Sequence, residues 1–158
     1  MITIRSATAE DKQTIRNVIR ESFLSSYVHF LPKERIEQSI RNDRAGEIAR
    51  NEGHLFTIAE MNGTPAGVML LKDNFVEQLF THPDFMGVGV GSALLEHAEN
   101  RAREKGHDRL TLNCFADNEK ALAFYKAKGF TIEKSVEEKN HMPGIFNCTL
   151  AKNIQGHQ

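Results

Sequence analysis

The sequence predicts an α/β (α+β) fold: a mostly antiparallel mixed sheet of six to seven strands with about four helices. Three observations carry that expectation. Asn62-Gly63 stands between two strand-like runs, a strong hairpin signal, so the early strands pair antiparallel. The run Phe75 to Thr81 passes through a glycine loop into a helical pattern and then another strand, which makes one parallel crossover. The full order reads strand, two helices, three strands, helix, strand, helix, two strands, and not a repeating βαβ alternation.

Each element has its own signal. Ile2 and Ile4 alternate with Thr3 and Arg5, a short strand. Thr8 reads as a helix N-cap with Asp11 three positions on, an imperfect capping box, and Ile15, Val18, Ile19 and Phe23 follow at helical spacing. The segment LSSYVHFLP breaks this pattern, and Pro32 opens a second helix carrying Ile36, Ile40 and Ile48. His54 to Glu60 and Gly67 to Leu71 are the arms of the hairpin, Phe75 to Thr81 is the next strand, and His82-Pro83 stops it. A helix from about Ser92 to Lys105 turns Leu94, Leu95, Ala98 and Ala102 inward, with Gly106 as its C-terminal cap. Arg109 to Phe115 is a strand, and Asn118 to Lys128 is a helix ended by Gly129. Phe130 to Val136 and Ile145 to Leu150 are late strands around Pro143-Gly144.

The 158 residues hold no internal repeat, low-complexity tract or linker, so one domain over 1–158 is expected, with its ordered core at about 2–151. A composition of 40% hydrophobic and 26% charged residues suits a globular chain in water. A net charge of -1 supplies no footprint for nucleic acid or a membrane surface. The longest apolar run, Val68 to Leu71 extended by Ala66 and Gly67, falls far short of the ~20 residues of a spanning helix, and the first residues lack a signal-peptide core. A cytoplasmic protein is expected. Cys114 and Cys148 have neither metal-ligand spacing nor a disulfide framework; they read as two buried thiols, and no metal is expected.

The stretch HPDFMGVGVGSALL leads from a strand into a helix through Gly87, Gly89 and Gly91. The first amides of a helix have no internal partners, the helix dipole favours an anion there, and glycine lets such amides approach a ligand. Glycine before a helix is also an ordinary tight turn, so the loop alone decides little. A P-loop fails, because Val90-Gly91-Ser92 lacks the lysine. A Rossmann fingerprint is poor, because the spacing is G-x-G-x-G, Ser92 stands where the last glycine belongs, and some 85 residues come first. With the strand VEQLFTHPDF before it, MGVGVGSALL resembles the acyl-CoA pyrophosphate loop of the GNAT family of N-acetyltransferases. That family's pattern, Gln/Arg-x-x-Gly-x-Gly/Ala, falls on Met86 to Gly91 with Met86 as a departure. The later block DNEKALAFYKAKGF is similar to the family's second motif at Asn118, Ala121, Phe124, Tyr125, Gly129 and Phe130. The opening IRSATAEDKQTI and the hairpin MNGTPAGVMLL also look like the family's start and its second and third strands. The likeness is weakest in residues 24 to 53 and after 135.

The resemblance implies the GNAT fold, with the sheet splayed between the fourth and fifth strands, and acetyl-CoA as cosubstrate. It implies that the backbone of Leu79, Phe80 and Thr81 pairs with the pantetheine arm like an added strand. Amides of Gly87, Val88, Gly89, Val90, Gly91 and Ser92 would hold the pyrophosphate. Asn118 would hydrogen-bond the pantetheine, and Phe124 would stand by the cofactor. Tyr125 would protonate the departing thiolate; a phenol near ~10 giving its proton to a thiolate near ~8.5 costs about 2 kcal/mol, tolerable within a cycle. The acceptor, a primary amine near ~10.4, needs a base. Glu77 is the first candidate and Glu60 a lesser one, each with the plain alternative of a solvated strand carboxylate. Some members, the ribosomal-protein N-terminal acetyltransferases among them, place a glutamate five residues before the motif asparagine. Here that position is Asn113, which cannot act as a base. His82 reads as part of the strand stop, whereas His29 and His141 could border the acceptor. The family's late strands often contribute to dimers, so a homodimer is an assembly the resemblance allows. The expected activity is direct acetyl transfer from acetyl-CoA to an amine of a small molecule or peptide, with no nucleic acid or membrane partner. A non-catalytic acyl-CoA-binding module, or transfer of another acyl group, stays open.

Overall fold

The computed structural model describes residues 1–155. Its strands are β1 (Ile2–Ser6), β2 (Thr57–Met61), β3 (Thr64–Lys72), β4 (Phe75–Thr81), β5 (Arg109–Phe115), β6 (Thr131–Glu137) and β7 (Phe146–Asn153). The helices are α1 (Lys12–Ser26), α2 (Lys33–Arg41), α3 (Arg44–Glu52), α4 (Val90–Glu104) and α5 (Glu119–Ala127). The strands hydrogen-bond in the order β1-β2-β3-β4-β5-β7-β6, a mixed seven-stranded open sheet with five helices. The chain forms two compact units, one of Met1–Leu71 with Gln78–His97, the other of Lys72–Glu77 with Ala98 onward.

In the first unit, Asn62 and Gly63 both adopt positive φ, 51° and 86°, the two-residue turn whose twist matches antiparallel strands. β2 thereby pairs β3 from Thr57↔Met69 to Met61↔Thr64, and β1 adds to the outer side of β2. Ile58, Val68 and Leu70 face α1 and α3, where Ile15, Val18, Ile19, Ala45, Ile48 and Ala49 complete one buried cluster. The other β3 face is covered as well: Met69 is fully buried, and Gly67 lies against Val90 and Leu94 of α4. Two covered faces explain why Ala66 to Leu71 reads as an unbroken small and apolar run rather than an alternation.

Thr8 and Asp11 form a complete capping box, reciprocal where the sequence suggested an imperfect one, because Asp11 Oδ2 accepts the Thr8 N–H at 2.8 Å. The helix expected from Pro32 to Ile48 is two helices. Between them Asp43 turns left-handed (φ 47°), its carboxylate accepting the Gly46 N–H at 3.2 Å and pairing with Arg16. Asp tolerates that conformation and caps well, so the chain restarts there instead of continuing. α1 also outlasts Phe23, running to Ser26 before a 3₁₀ turn at Tyr27–His29.

In the second unit, β5 pairs β7 antiparallel along its length, β7 pairs β6, and β4 pairs β5 in parallel at Phe75↔Thr111 and Val76↔Leu112. Leu110, Leu112 and Cys114 alternate inward on β5, with Leu150, Ile154, Ala98 and Ala102 buried alongside. Glu99 of α4 bonds Lys152 of β7 at 2.9 Å, and Arg103 donates to the Ile154 carbonyl at 3.0 Å. β6 is the outer strand, and all but its last residue are exposed. No helix among the described residues is long and apolar enough to cross a membrane.

Candidate cofactor loop and acyl-transfer residues

The glycine loop belongs to the first unit. After β4, His82 begins a 3₁₀ turn (Pro83–Phe85) and its Nδ1 accepts the Asp84 N–H at 3.1 Å, the structural part expected of it. Gly87 and Gly89 then take φ of 78° and 94°, which side-chain-bearing residues rarely adopt, so these glycines make the turn itself. The first α4 bond of the ladder is Ala93 N–H to the Gly89 carbonyl at 3.0 Å. Val90, Gly91 and Ser92 precede it, so their N–H groups are those a helix leaves without an internal acceptor. Residues 86–89 are exposed, whereas Val90 is buried and holds the helix start in place. A solvent-facing run of glycine amides at the positive end of a fifteen-residue helix fits a pyrophosphate.

Leu79, Phe80 and Thr81 are half-buried at the end of β4 and fall outside its register with β5, which covers only Phe75 and Val76. Phe80 lies 6.4 Å from Tyr27, which in turn stacks on Phe23 at 5.1 Å and meets Phe30 at 5.3 Å. Tyr27 and Phe30 of this aromatic group lie within the segment whose helical pattern broke. The sequence signal for it was the density of aromatic residues from Phe23 to Phe30, which periodicity alone does not place.

The second unit holds Glu77, Asn118, Phe124 and Tyr125. Asn118 caps α5, its Oδ1 accepting the Ala121 N–H at 3.4 Å, which leaves the carboxamide NH2 as the part the cap does not use. Tyr125 is half-buried, its ring edge-on to Phe124 (5.3 Å) and Phe130 (5.8 Å), so the motif's aromatic pair and its Gly-Phe end lock one another. Glu77 Oε2 pairs with Lys72 Nζ at 3.1 Å, a partner across the β3–β4 turn that the sequence reading did not name. Glu60 is held elsewhere, on Arg5 Nε at 3.1 Å. His29 and His141 are both exposed. Among the described residues no group of three or more His, Cys, Asp or Glu could hold a metal ion.

The model of the acetyltransferase (GNAT) family matches residues 14–130. The chain belongs to the GNAT family. A stretch of 81 residues is 40% identical to the peptidyl-lysine N-acetyltransferase YjaB of Escherichia coli. It spans 51% of this chain and 52% of that protein, about half the length of this curated relative. The solution structure of apo-form YjaB superposes on this GNAT chain with a TM-score of 0.78 and 27% identity, over 96% of this chain and 97% of that one. The spermidine N(1)-acetyltransferase of Thermoplasma acidophilum is 31% identical over 144 residues, 84% of this chain and 89% of the relative. The PaiA N-acetyltransferase of the same organism, solved in complex with coenzyme A, superposes with a TM-score of 0.75 at 24% identity, over 97% and 99% of the two chains; it shares the fold.

Proposed function

We propose that this chain, as one acetyltransferase domain, moves the acetyl group of acetyl-CoA directly to a primary amine. The observation that carries the reading is the exposed glycine loop at the start of α4, because it presents successive unbonded amides to one anion. Acetyl-CoA, when bound, supplies the activated thioester. The amides of Gly87 to Ser92 bind its pyrophosphate, and the backbone of Leu79 to Thr81 extends the pantetheine as an added strand. The free NH2 of Asn118 donates to a pantetheine carbonyl, and Phe124 packs beside it.

The remaining work is proton movement. Tyr125 Oη gives a proton to the departing sulfur, and its ring, wedged between Phe124 and Phe130, keeps the hydroxyl in one direction. The acceptor ammonium must lose one proton before attack and a second on forming the amide. Glu77 takes the first of these through Oε1, since Oε2 is on Lys72, and the second restores the proton that Tyr125 gave to sulfur. The relatives' acceptors, peptidyl-lysine and spermidine, are both alkyl amines and make up the first test panel.

The test is acetyl transfer to spermidine, a lysine peptide and simple diamines, with wild type and Tyr125→Phe. Wild type is expected to acetylate at least one of them. Tyr125→Phe is expected to lower kcat by about 10²-fold or more while the coenzyme A dissociation constant moves less than about threefold. Tight coenzyme A binding with no transfer to any amine would instead identify an acyl-CoA-binding module. An unchanged kcat in the variant, with chemistry rate-limiting, takes Tyr125 out of the acid role.

A further inference from the structure

Two consecutive residues of β3 hold both ends of the loop between β4 and α4. At its entrance, the Ala66 carbonyl accepts the His82 N–H at 2.8 Å. At its exit, Gly67 faces the first turn of α4. A β-carbon built on Gly67 would lie 2.6 Å from Val90 Cγ1, 3.1 Å from Leu94 Cδ1 and 3.3 Å from the Phe80 carbonyl oxygen. Val90 is 1% exposed and Leu94 0%, so neither side chain has open space to move into. Gly67 is not among the glycines of positive φ, so the position demands room rather than a left-handed backbone. Glycine weakens a strand interior and is kept where another element comes close. Its cross-strand partner is Ala59, which makes Ala59–Gly67 the smallest pair of the β2–β3 register. That register also slips just beyond Ala59, so the strand is locally adapted there.

We propose that Gly67 is a positioning residue for cofactor binding. Its missing side chain lets the first turn of α4 settle onto β3, and this sets where the amides of Gly87 to Ser92 stand. The inference rests on the reading of that loop as the pyrophosphate cradle. A methyl group at 67 meets the two elements that reading uses: the start of α4 through Val90, and the β4 backbone through the Phe80 carbonyl. Gly67 touches no substrate atom and acts only through those neighbours.

The experiment is coenzyme A titration and steady-state kinetics on wild type, Gly67→Ala, Val90→Ala and the double variant, each with its thermal midpoint. Wild-type affinity tests the cradle itself. A wild type that does not bind coenzyme A removes the cradle, and the inference with it. Where wild type binds, Gly67→Ala is expected to raise the dissociation constant about tenfold and to leave kcat at saturating acetyl-CoA within about threefold. Removing the opposing methyls should undo this, so the double variant is expected to bind within about threefold of Val90→Ala. Unchanged affinity in Gly67→Ala overturns the inference and leaves the cradle standing, as does a loss that Val90→Ala does not recover. If Gly67→Ala does not fold, the double variant carries the test. Folding and binding close to Val90→Ala support the inference; failure to fold, or binding more than about tenfold weaker, overturns it.

Discussion

Met86 stands 59% exposed at the head of the glycine loop, where the family pattern has Gln or Arg. A thioether cannot donate a hydrogen bond, so the backbone amides have to do without a side-chain donor at this position. Met86→Arg is expected to tighten coenzyme A by about 1 kcal/mol, roughly fivefold, as measured by calorimetry. An unchanged constant would mean that the side chain at 86 turns away from the anion. Cys114 is a contrasting residue. It lies opposite Cys148 in the β5–β7 register, and burial pushes its thiol up to about 12. At neutral pH it is therefore a protonated thiol and a poor nucleophile, which suits a packing role.

Among the elements, the break between α2 and α3 depends on one side chain. Asp43 accepts the Gly46 N–H, pairs with Arg16 at 3.0 Å and tolerates a left-handed φ. α3 brings Ala45, Ile48 and Ala49 to the core, whereas α2 buries none of its residues. Asp43→Ala loses the cap and strains the backbone, and it is expected to cost about 2 kcal/mol in urea unfolding. Asp43→Asn keeps both the cap and the turn and is expected to cost clearly less. Equal losses would assign the effect to the Arg16 ion pair rather than to the cap.

For the whole molecule, stability has an acid-sensitive component at the N-terminal strand. Arg5 makes paired hydrogen bonds of 2.9 Å to both oxygens of Asp11 and one of 3.1 Å to Glu60, tying β1 to the start of α1 and to β2. The Arg5 guanidinium, with help from the Thr8 N–H, holds the Asp11 carboxyl well below the usual carboxylate range. A depressed carboxylate stabilises fully above its unfolded value of ~3.9, and that stabilisation fades as the pH falls toward the folded value. Asp11→Asn is expected to lose about 1–2 kcal/mol at pH 7 and the same at pH 5. The gap to wild type should narrow only below about pH 4, read from urea midpoints at each pH. A gap that narrows already between pH 7 and 5 would contradict the assignment.

The sequence by itself determined what depends on near neighbours along the chain. The turn at Asn62-Gly63, the glycine turn before α4 and the helix start at Asn118 are all set by residues within a few positions, and all were legible. So was the family, because its two motifs each lie on one continuous stretch. Only the tertiary structure decided the partners of those stretches. Nothing near Glu60 announces Arg5, 55 positions away, and nothing near Gly67 announces Val90. Lys72 meets Glu77 only because a tight turn folds β4 back beside β3, with Asp73 at a φ of 60°. Periodicity reports which face of an element is apolar. It does not report which atom lies across the gap, and at Gly67 that distance is what counts.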